Sequence, residues 1–166
     1  SIVAEYPICG LTFALDTLVS HEFGRNNTSD VLGLLLQRGI LVNLAFAVPV
    51  CFLLTTYSYP VLSSIYGVEL AVIASAFLRF TPLFLIPLVF FTAFSKFCAN
   101  QMLPQIPMIA MVCGVVVTPV AQGMLIHLGV EGAMLGMAVA AWVQLLVVIL
   151  LTFAKKETRQ TFGTIR

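Results

Sequence analysis

Long apolar stretches separated by short polar segments make up most of the chain. Five stretches approach the roughly 20 apolar residues that a membrane-spanning helix needs, at about 1–19, 40–57, 70–94, 106–126 and 132–154. None shows the alternation of apolar and polar positions that a membrane β-barrel requires. The pattern therefore predicts an all-α membrane protein of five transmembrane helices, and the short connections make successive helices antiparallel.

The composition supports the same class of protein. Hydrophobic residues make up 60% of the chain and charged residues 9%, with a mean hydropathy of +1.07, whereas a soluble domain has about 25% charged residues. So few charges could not cover a soluble fold, which makes the lipid bilayer the expected partner. The net charge of +1 and the lack of a basic patch predict no nucleic-acid partner.

Two sets of residues bear on how the helices pack. Gly132, Gly136 and Ala140 recur at a spacing of four in the last span, which predicts a face where a neighbouring helix approaches closely. Prolines inside the second, third and fourth spans each remove a backbone donor that neighbouring groups or water have to replace. Bent helices of a transporter and ordinary packing features are both consistent with them. These prolines are Pro49, Pro82, Pro87 and Pro119.

Basic residues predict the orientation of the chain. Seven of the eight fall in the first loop, the third loop or the C-terminal segment, and the loops at about 58–69 and 127–131 hold none. The positive-inside rule then places those basic segments in the cytoplasm and the N-terminal end of the chain outside. The seven are Arg25, Arg38, Lys96, Lys155, Lys156, Arg159 and Arg166. The glycosylation motifs at Asn26 and Asn27 would demand the reverse orientation, and we expect both to be unused.

Two charged residues stand out within the predicted spans and are candidates for transport or gating. Asp16 is near the cytoplasmic end of the first span and Arg79 is inside the third, where an ionisable group is costly. Asp16 could carry a proton or contact a cation, or it could be an interfacial carboxylate that bonds backbone amides or Thr17. Arg79 could line a water-filled cavity, pair with a carboxylate or reach outward to the interface.

No set of residues predicts catalysis, a cofactor or a metal site. The chain has no nucleophile elbow, zinc-protease motif or phosphate-binding glycine loop. Its four cysteines, Cys9, Cys51, Cys98 and Cys113, are widely spaced in apolar stretches. We therefore expect them to be packing residues and the protein not to be an enzyme.

Several short motifs resemble the multidrug and toxic compound extrusion (MATE) family, in its eukaryotic form. They agree with the family in order and spacing over nearly the whole chain. In chain order they are Ala14-Leu15-Asp16-Thr17-Leu18 with Phe23-Gly24, Leu32-Gly33 with Gln37-Arg38, Lys96-Phe97 with Gln101 and Pro107, Leu128-Gly129-Val130-Glu131-Gly132-Ala133, and Trp142. Departures occur at 20–25, at Lys96 where the family has Arg, and at Cys98, Ala99 and Asn100.

The resemblance implies that residues 1–166 correspond to helices two to six of the N-lobe, without helix one and the C-lobe of a twelve-helix carrier. It implies an antiporter of the plasma or vacuolar membrane that exports organic cations or drugs in exchange for protons or sodium by alternating access. An isolated chain of this extent is not expected to transport. Besides Asp16, the motif positions that it singles out are Thr17, Gly24, Gln37, Arg38, Gln101 and Gly132.

Two alternatives stay open at the level of the sequence. The first is a membrane scaffold without transport activity, such as a truncated gene product that binds partners through its helix faces. The second is a flippase of the same broader superfamily, which would share the architecture but not the motifs around Asp16 and Arg38.

Overall fold

The computed structural model describes residues 2–25 and 31–154, with no account of the side chains of residues 2–5, 8, 31 and 32. Six helices and no strand occur in this part of the chain, which confirms the all-α class. The helices are α1 (Ile2–Arg25), α2 (Val31–Tyr66), α3 (Val68–Arg79), α4 (Thr81–Asn100), α5 (Gln105–Leu125) and α6 (Val130–Ala154), with a 3-10 turn at Ile126–Leu128. The two glycosylation motifs and the C-terminal basic residues lie outside the described residues.

Four of the described helices are long and apolar enough to cross a membrane, namely α2, α4, α5 and α6. Helix α1 has 24 residues and corresponds to the first predicted span, although part of it lacks described side chains. The predicted spans at 40–57, 106–126 and 132–154 fall within α2, α5 with its 3-10 turn, and α6.

The third predicted span, 70–94, is not one helix in the structure. The chain leaves helical geometry at Phe80, which has φ −92° and ψ 4° and separates α3 from α4. Pro82 explains the break, because it cannot donate to the Leu78 carbonyl oxygen and its ring disfavours a helix that continues through the preceding residues. In the first turn of α4, where no backbone donor is needed, the same proline is well tolerated.

This division moves Arg79 to the edge of the apolar segment. Helix α4 has 20 residues, which at 1.5 Å per residue span about 30 Å, the thickness of the hydrocarbon core. Helix α2 has 36 residues and is therefore about 54 Å long. It packs against α3, and Gly67 makes the tight turn between them with φ 86°. Arg79 is the last residue of α3, which has 12 residues, and so lies outside the four described helices that are long enough to cross a membrane.

Helix α4 is the centre of the fold. It contacts all five other helices and contributes side chains to each of the three apolar clusters. Phe97 packs with α1 and α2, Leu85 with α2, and Phe91 with α5 and α6. Most of the large apolar side chains on the outer faces of the other helices are exposed, as expected for surfaces that lipid covers.

Glycines bring α5 and α6 into close contact. Gly132 and Gly136 are buried on α6, and a Cβ at Gly132 would overlap the carbonyl oxygen of Leu125. A Cβ at Gly136 would lie 2.8 Å from Gln122 Cγ and 3.0 Å from its Cα. The row of small residues on α6 is therefore a helix-packing face, as predicted.

A tryptophan replaces the hydrogen bond that one proline removes. Pro87 has no backbone N–H, so the Leu83 carbonyl oxygen lacks its usual donor four residues later. Trp142 of α6 donates from Nε1 to this oxygen at 3.2 Å. Because hydrocarbon supplies no donor, this contact satisfies a polar group that would otherwise be costly, and it ties α6 to α4.

Substituting glycines with and without close neighbours tests the α5–α6 contact. We expect Gly132→Ala to lower the unfolding free energy by about 1–3 kcal/mol, because the new methyl group meets backbone. Gly123→Ala is the control, since a Cβ there has nothing within 4 Å and alanine favours the helix by roughly 0.5–1 kcal/mol. The measurement is unfolding in mixed detergent micelles, and equal stability of the two variants would contradict the packing.

A double-mutant cycle tests the bond between Trp142 and Leu83. We expect Trp142→Phe to cost about 0.5–1.5 kcal/mol of unfolding free energy beyond its packing change, because the Leu83 carbonyl loses its donor. In a Pro87→Ala background residue 87 supplies the helical N–H, so the same substitution should cost less. Identical costs in the two backgrounds would show that the tryptophan does not compensate for the proline.

Candidate functional site

The candidate carboxylate, Asp16, lies on α1 about two turns before that helix ends. The neighbouring hydroxyl groups are directed at their own helix: Thr17 Oγ1 donates to the Phe13 carbonyl oxygen at 3.2 Å, and Ser20 Oγ to the Thr17 carbonyl oxygen at 3.0 Å. The partners of the Asp16 side chain come instead from α4.

Two side chains of α4 hold Asp16. Lys96 Nζ lies 2.9 Å from Oδ2, and Asn100 Nδ2 donates to Oδ1 at 2.6 Å and to the Asp16 carbonyl oxygen at 3.2 Å. Lys96 and Asn100 are one helical turn apart and therefore share a face of α4. Each carboxylate oxygen thus has its own donor, and both donors are on the same neighbouring helix.

The pair is neither fully buried nor fully exposed. The Lys96 side chain is 36% exposed and that of Asp16 is 29% exposed. Partial exposure screens the attraction, so the ion pair alone contributes little to stability. The bond from Asn100 is charge-assisted and stronger than a neutral one. Part of the Asp16 side chain is therefore left uncovered by the described residues.

The Lys96 ammonium also contacts an aromatic ring. Its Nζ lies 4.9 Å from the centroid of Phe13, within the range of a cation–π interaction. Phe13 precedes Asp16 by three residues and so lies on the same face of α1. The ammonium therefore touches a carboxylate and an aromatic face, the two groups that most often bind organic cations.

A cavity of about 140 Å³ adjoins Lys96 and Phe13. It lies between α1, α4 and α5, and Lys96 is the one charged residue in its lining. An engineered apolar cavity of about 150 Å³ accommodates a benzene molecule, so the space suits a single aromatic ring. The lining residues are Cys9, Thr12, Phe13, Phe91, Thr92, Ser95, Lys96 and Met111.

The end of α4 places Asn100 and Gln101 beside the site. Met102 adopts a left-handed conformation with φ 60°, and the N–H groups of Met102 and Leu103 donate to the carbonyl oxygens of Ala99 and Cys98. This is a Schellman cap, which usually has glycine at the left-handed position. It ends the helix directly after Asn100. Gln101 Nε2 is buried there without a partner among the described residues.

The other predicted positions are spread over the fold. Gln37 and Arg38 are exposed on α2, and in the described part of the chain no hydrogen bond or ion pair links them or Arg79 to Asp16. Gly24 is exposed near the end of α1, where a Cβ would meet nothing. Gly132 belongs to the α5–α6 contact. Of the two charged candidates, only Asp16 is bound by polar side chains of another helix in the described part of the chain.

The sequence predicts neither partner of Asp16. The charge pattern places Lys96 in the third loop, whereas it lies inside α4, and Asn100 stands out only as a departure from a motif. The predicted span ends at residue 94, before both of them, so the pattern does not indicate that they share a helix face. Which helix they face is a tertiary property that spacing does not give.

Comparisons with known proteins give one match. The model of the MatE family matches residues 2–123, which is most of the chain. No curated protein sequence matches, and no solved structure does. The matched segment contains α1 to α4, Asp16 and both of its partners. With its apolar helices and this match, the chain belongs to the MatE family, the multidrug and toxic compound extrusion transporters.

Proposed function

We propose that this chain forms part of an antiporter that exports organic cations in exchange for protons or sodium by alternating access. Family membership supports an efflux function. The observation that carries the cation chemistry is the Asp16 carboxylate, which is partly exposed and already binds an ammonium group next to an aromatic ring. A carboxylate has the right sign for an organic cation, for sodium and for a proton.

The ion pair can act as a reversible link between α1 and α4. A proton that reaches Asp16 removes its negative charge, so Lys96 loses its partner and the link between the two helices weakens. Deprotonation restores it. Alternating access requires a ligand that binds two conformations with different affinities, and protonation of a carboxylate that links two helices provides such a difference. Asp16 then gates the cytoplasmic side rather than forming the central site.

The proposed orientation follows the basic residues, with the C-terminus in the cytoplasm of a cell whose plasma or vacuolar membrane holds the protein. In this orientation the loop between α4 and α5 is cytoplasmic and the turn at Gly67 is external. Asp16, Lys96 and Asn100 then lie at the cytoplasmic end of the membrane, where the charge of the coupling ion is least costly.

Transport assays on Asp16 variants of the full-length carrier test this function. We expect Asp16→Asn to reduce the efflux of a fluorescent organic cation, normalised to surface protein, at least about tenfold, because the amide has no negative charge to attract a cation or to form an ion pair with Lys96. Asp16→Glu should keep a substantial part of the rate. Glu131→Gln, at an exposed carboxylate on α6, is the control and should transport normally.

Three results of this assay oppose the proposed function. Full transport by Asp16→Asn would remove the carboxylate from the mechanism. Loss of folded protein in both Asp16 variants would give the residue a structural role. Absence of gradient-dependent efflux from cells that express the full-length carrier would contradict antiport; a protonophore and a sodium ionophore, applied separately, identify the coupling ion.

Cysteine labelling tests the orientation. In a background without the four native cysteines, Tyr66→Cys should react with an impermeant maleimide applied from outside. Met102→Cys should react only after permeabilisation. Both native side chains are well exposed, 63% and 80%, so accessibility within the protein does not limit either reaction. The opposite pattern would reverse the orientation.

A further inference from the structure

We propose that the Lys96 ammonium occupies a binding site for primary ammonium ligands, and that a small aromatic amine takes its place with the ring in the adjoining cavity. The site consists of the Phe13 ring, the Asp16 carboxylate and the cavity between α1, α4 and α5. Lys96 is thus a ligand supplied by the protein itself. This inference rests on the proposed function for the class of substrate.

The contacts of Lys96 are those that a bound amine would make. Its Nζ is 2.9 Å from Asp16 Oδ2 and 4.9 Å from the centre of the Phe13 ring. The cavity begins at the same two side chains, since Phe13 and Lys96 are both in its lining. A benzylammonium ion would place its charge at the position of Nζ and its ring in the roughly 140 Å³ of apolar space.

Lys96 is able to leave. Its side chain is 36% exposed, and a flexible four-carbon stem can carry the ammonium to water without moving the helix. The attraction that it gives up is partly screened. Asn100 holds Asp16 Oδ1 at 2.6 Å independently of Lys96, so the carboxylate keeps its orientation when the ammonium departs.

The surface of the cavity itself is apolar. Ser95 contributes to its lining, but Ser95 Oγ is buried within the protein, without a hydrogen-bond partner among the described residues. The polar contacts of a ligand are therefore those at the position of the Lys96 ammonium, and the cavity accommodates only the apolar ring.

The opposite arrangement makes a different prediction. If Lys96 remained in place and served as the binding group, the cavity would take an aromatic carboxylate. Asp16 would then weaken binding through repulsion, and its removal would strengthen it. The two arrangements therefore predict effects of opposite sign for substitutions of Lys96 and Asp16.

Calorimetric titration tests the proposal on the purified chain in detergent micelles, without any ion gradient. The three probes have one aromatic ring each and similar size, and they are benzylammonium, benzoate and neutral benzyl alcohol. We expect Lys96→Met to bind benzylammonium about tenfold more tightly than the unmodified chain, because the competing ammonium is gone. Asp16→Asn should weaken it by a similar factor. Benzyl alcohol should respond little to either change.

Two further variants control for folding and for the ring. Arg25→Met breaks the other described ion pair of α1, with Glu22, away from the cavity, and should leave all three affinities unchanged. Phe13→Leu keeps an apolar side chain without the aromatic face and should weaken benzylammonium several-fold more than benzyl alcohol. Because Lys96→Met is expected to gain affinity, a misfolded variant cannot imitate the expected result.

Several outcomes would overturn the proposal. The first is that Lys96→Met binds benzylammonium more weakly than the unmodified chain does. The second is that the unmodified chain binds benzoate more tightly than benzylammonium and that Lys96→Met abolishes the binding of benzoate. The third is that no variant binds benzylammonium. The test is also separate from the proposed function. If efflux is absent but the expected affinities are found, the ammonium site stands without the antiport; if efflux is present but the affinities are not, only the ammonium site is rejected.

Discussion

Hydrocarbon offers no hydrogen-bond partner, so polar groups at membrane depth have to be paired within the protein, and much of this structure follows from that constraint. Proline makes the constraint visible. Pro87 leaves the Leu83 carbonyl oxygen without a donor, and the indole of Trp142 supplies one from another helix. Several hydroxyl groups within the spans bond back to their own helix, as Thr92 does to the Leu88 carbonyl oxygen at 2.9 Å. Asp16 meets the same requirement with two donors from α4.

The central position of α4 connects packing with chemistry. One set of its side chains, including Phe97 and Leu85, is fully buried in the apolar clusters. Another set, Lys96 and Asn100, projects toward α1 and holds Asp16. Because interiors pack densely and deform little, the clusters fix the distance between α1 and α4, and that distance in turn sets the geometry of the ion pair. A change of charge at Asp16 therefore acts on α4, which contacts each of the other described helices.

Hydropathy was sufficient for the class of fold, since apolar stretches of the right length and small residues at a spacing of four are local properties. The break at Phe80 was not predicted because residues 70–94 are apolar almost throughout, and Pro82 was read as a bend in one helix. Asp16 was found because a carboxylate in an apolar stretch is costly. Its partners were not found, since pairing between residues 80 positions apart depends on helix packing. Lys96 also resembled an ordinary loop cation in the charge pattern.

The partial exposure of the Asp16–Lys96 pair decides what it can do. Removing one partner of a fully buried ion pair lowers the stability of a protein by about 3–5 kcal/mol. Such a pair would hold α1 and α4 together permanently. A fully exposed pair would contribute almost nothing and could not link the helices. At 29% and 36% exposure the pair lies between these limits. Asn100 adds the element that makes exchange possible, because it keeps the carboxylate in position while its cationic partner changes. Asn100 is the fixed donor to the Asp16 carboxylate and Lys96 is the mobile one. Another cation can therefore replace Lys96 while the bond from Asn100 keeps α1 and α4 together.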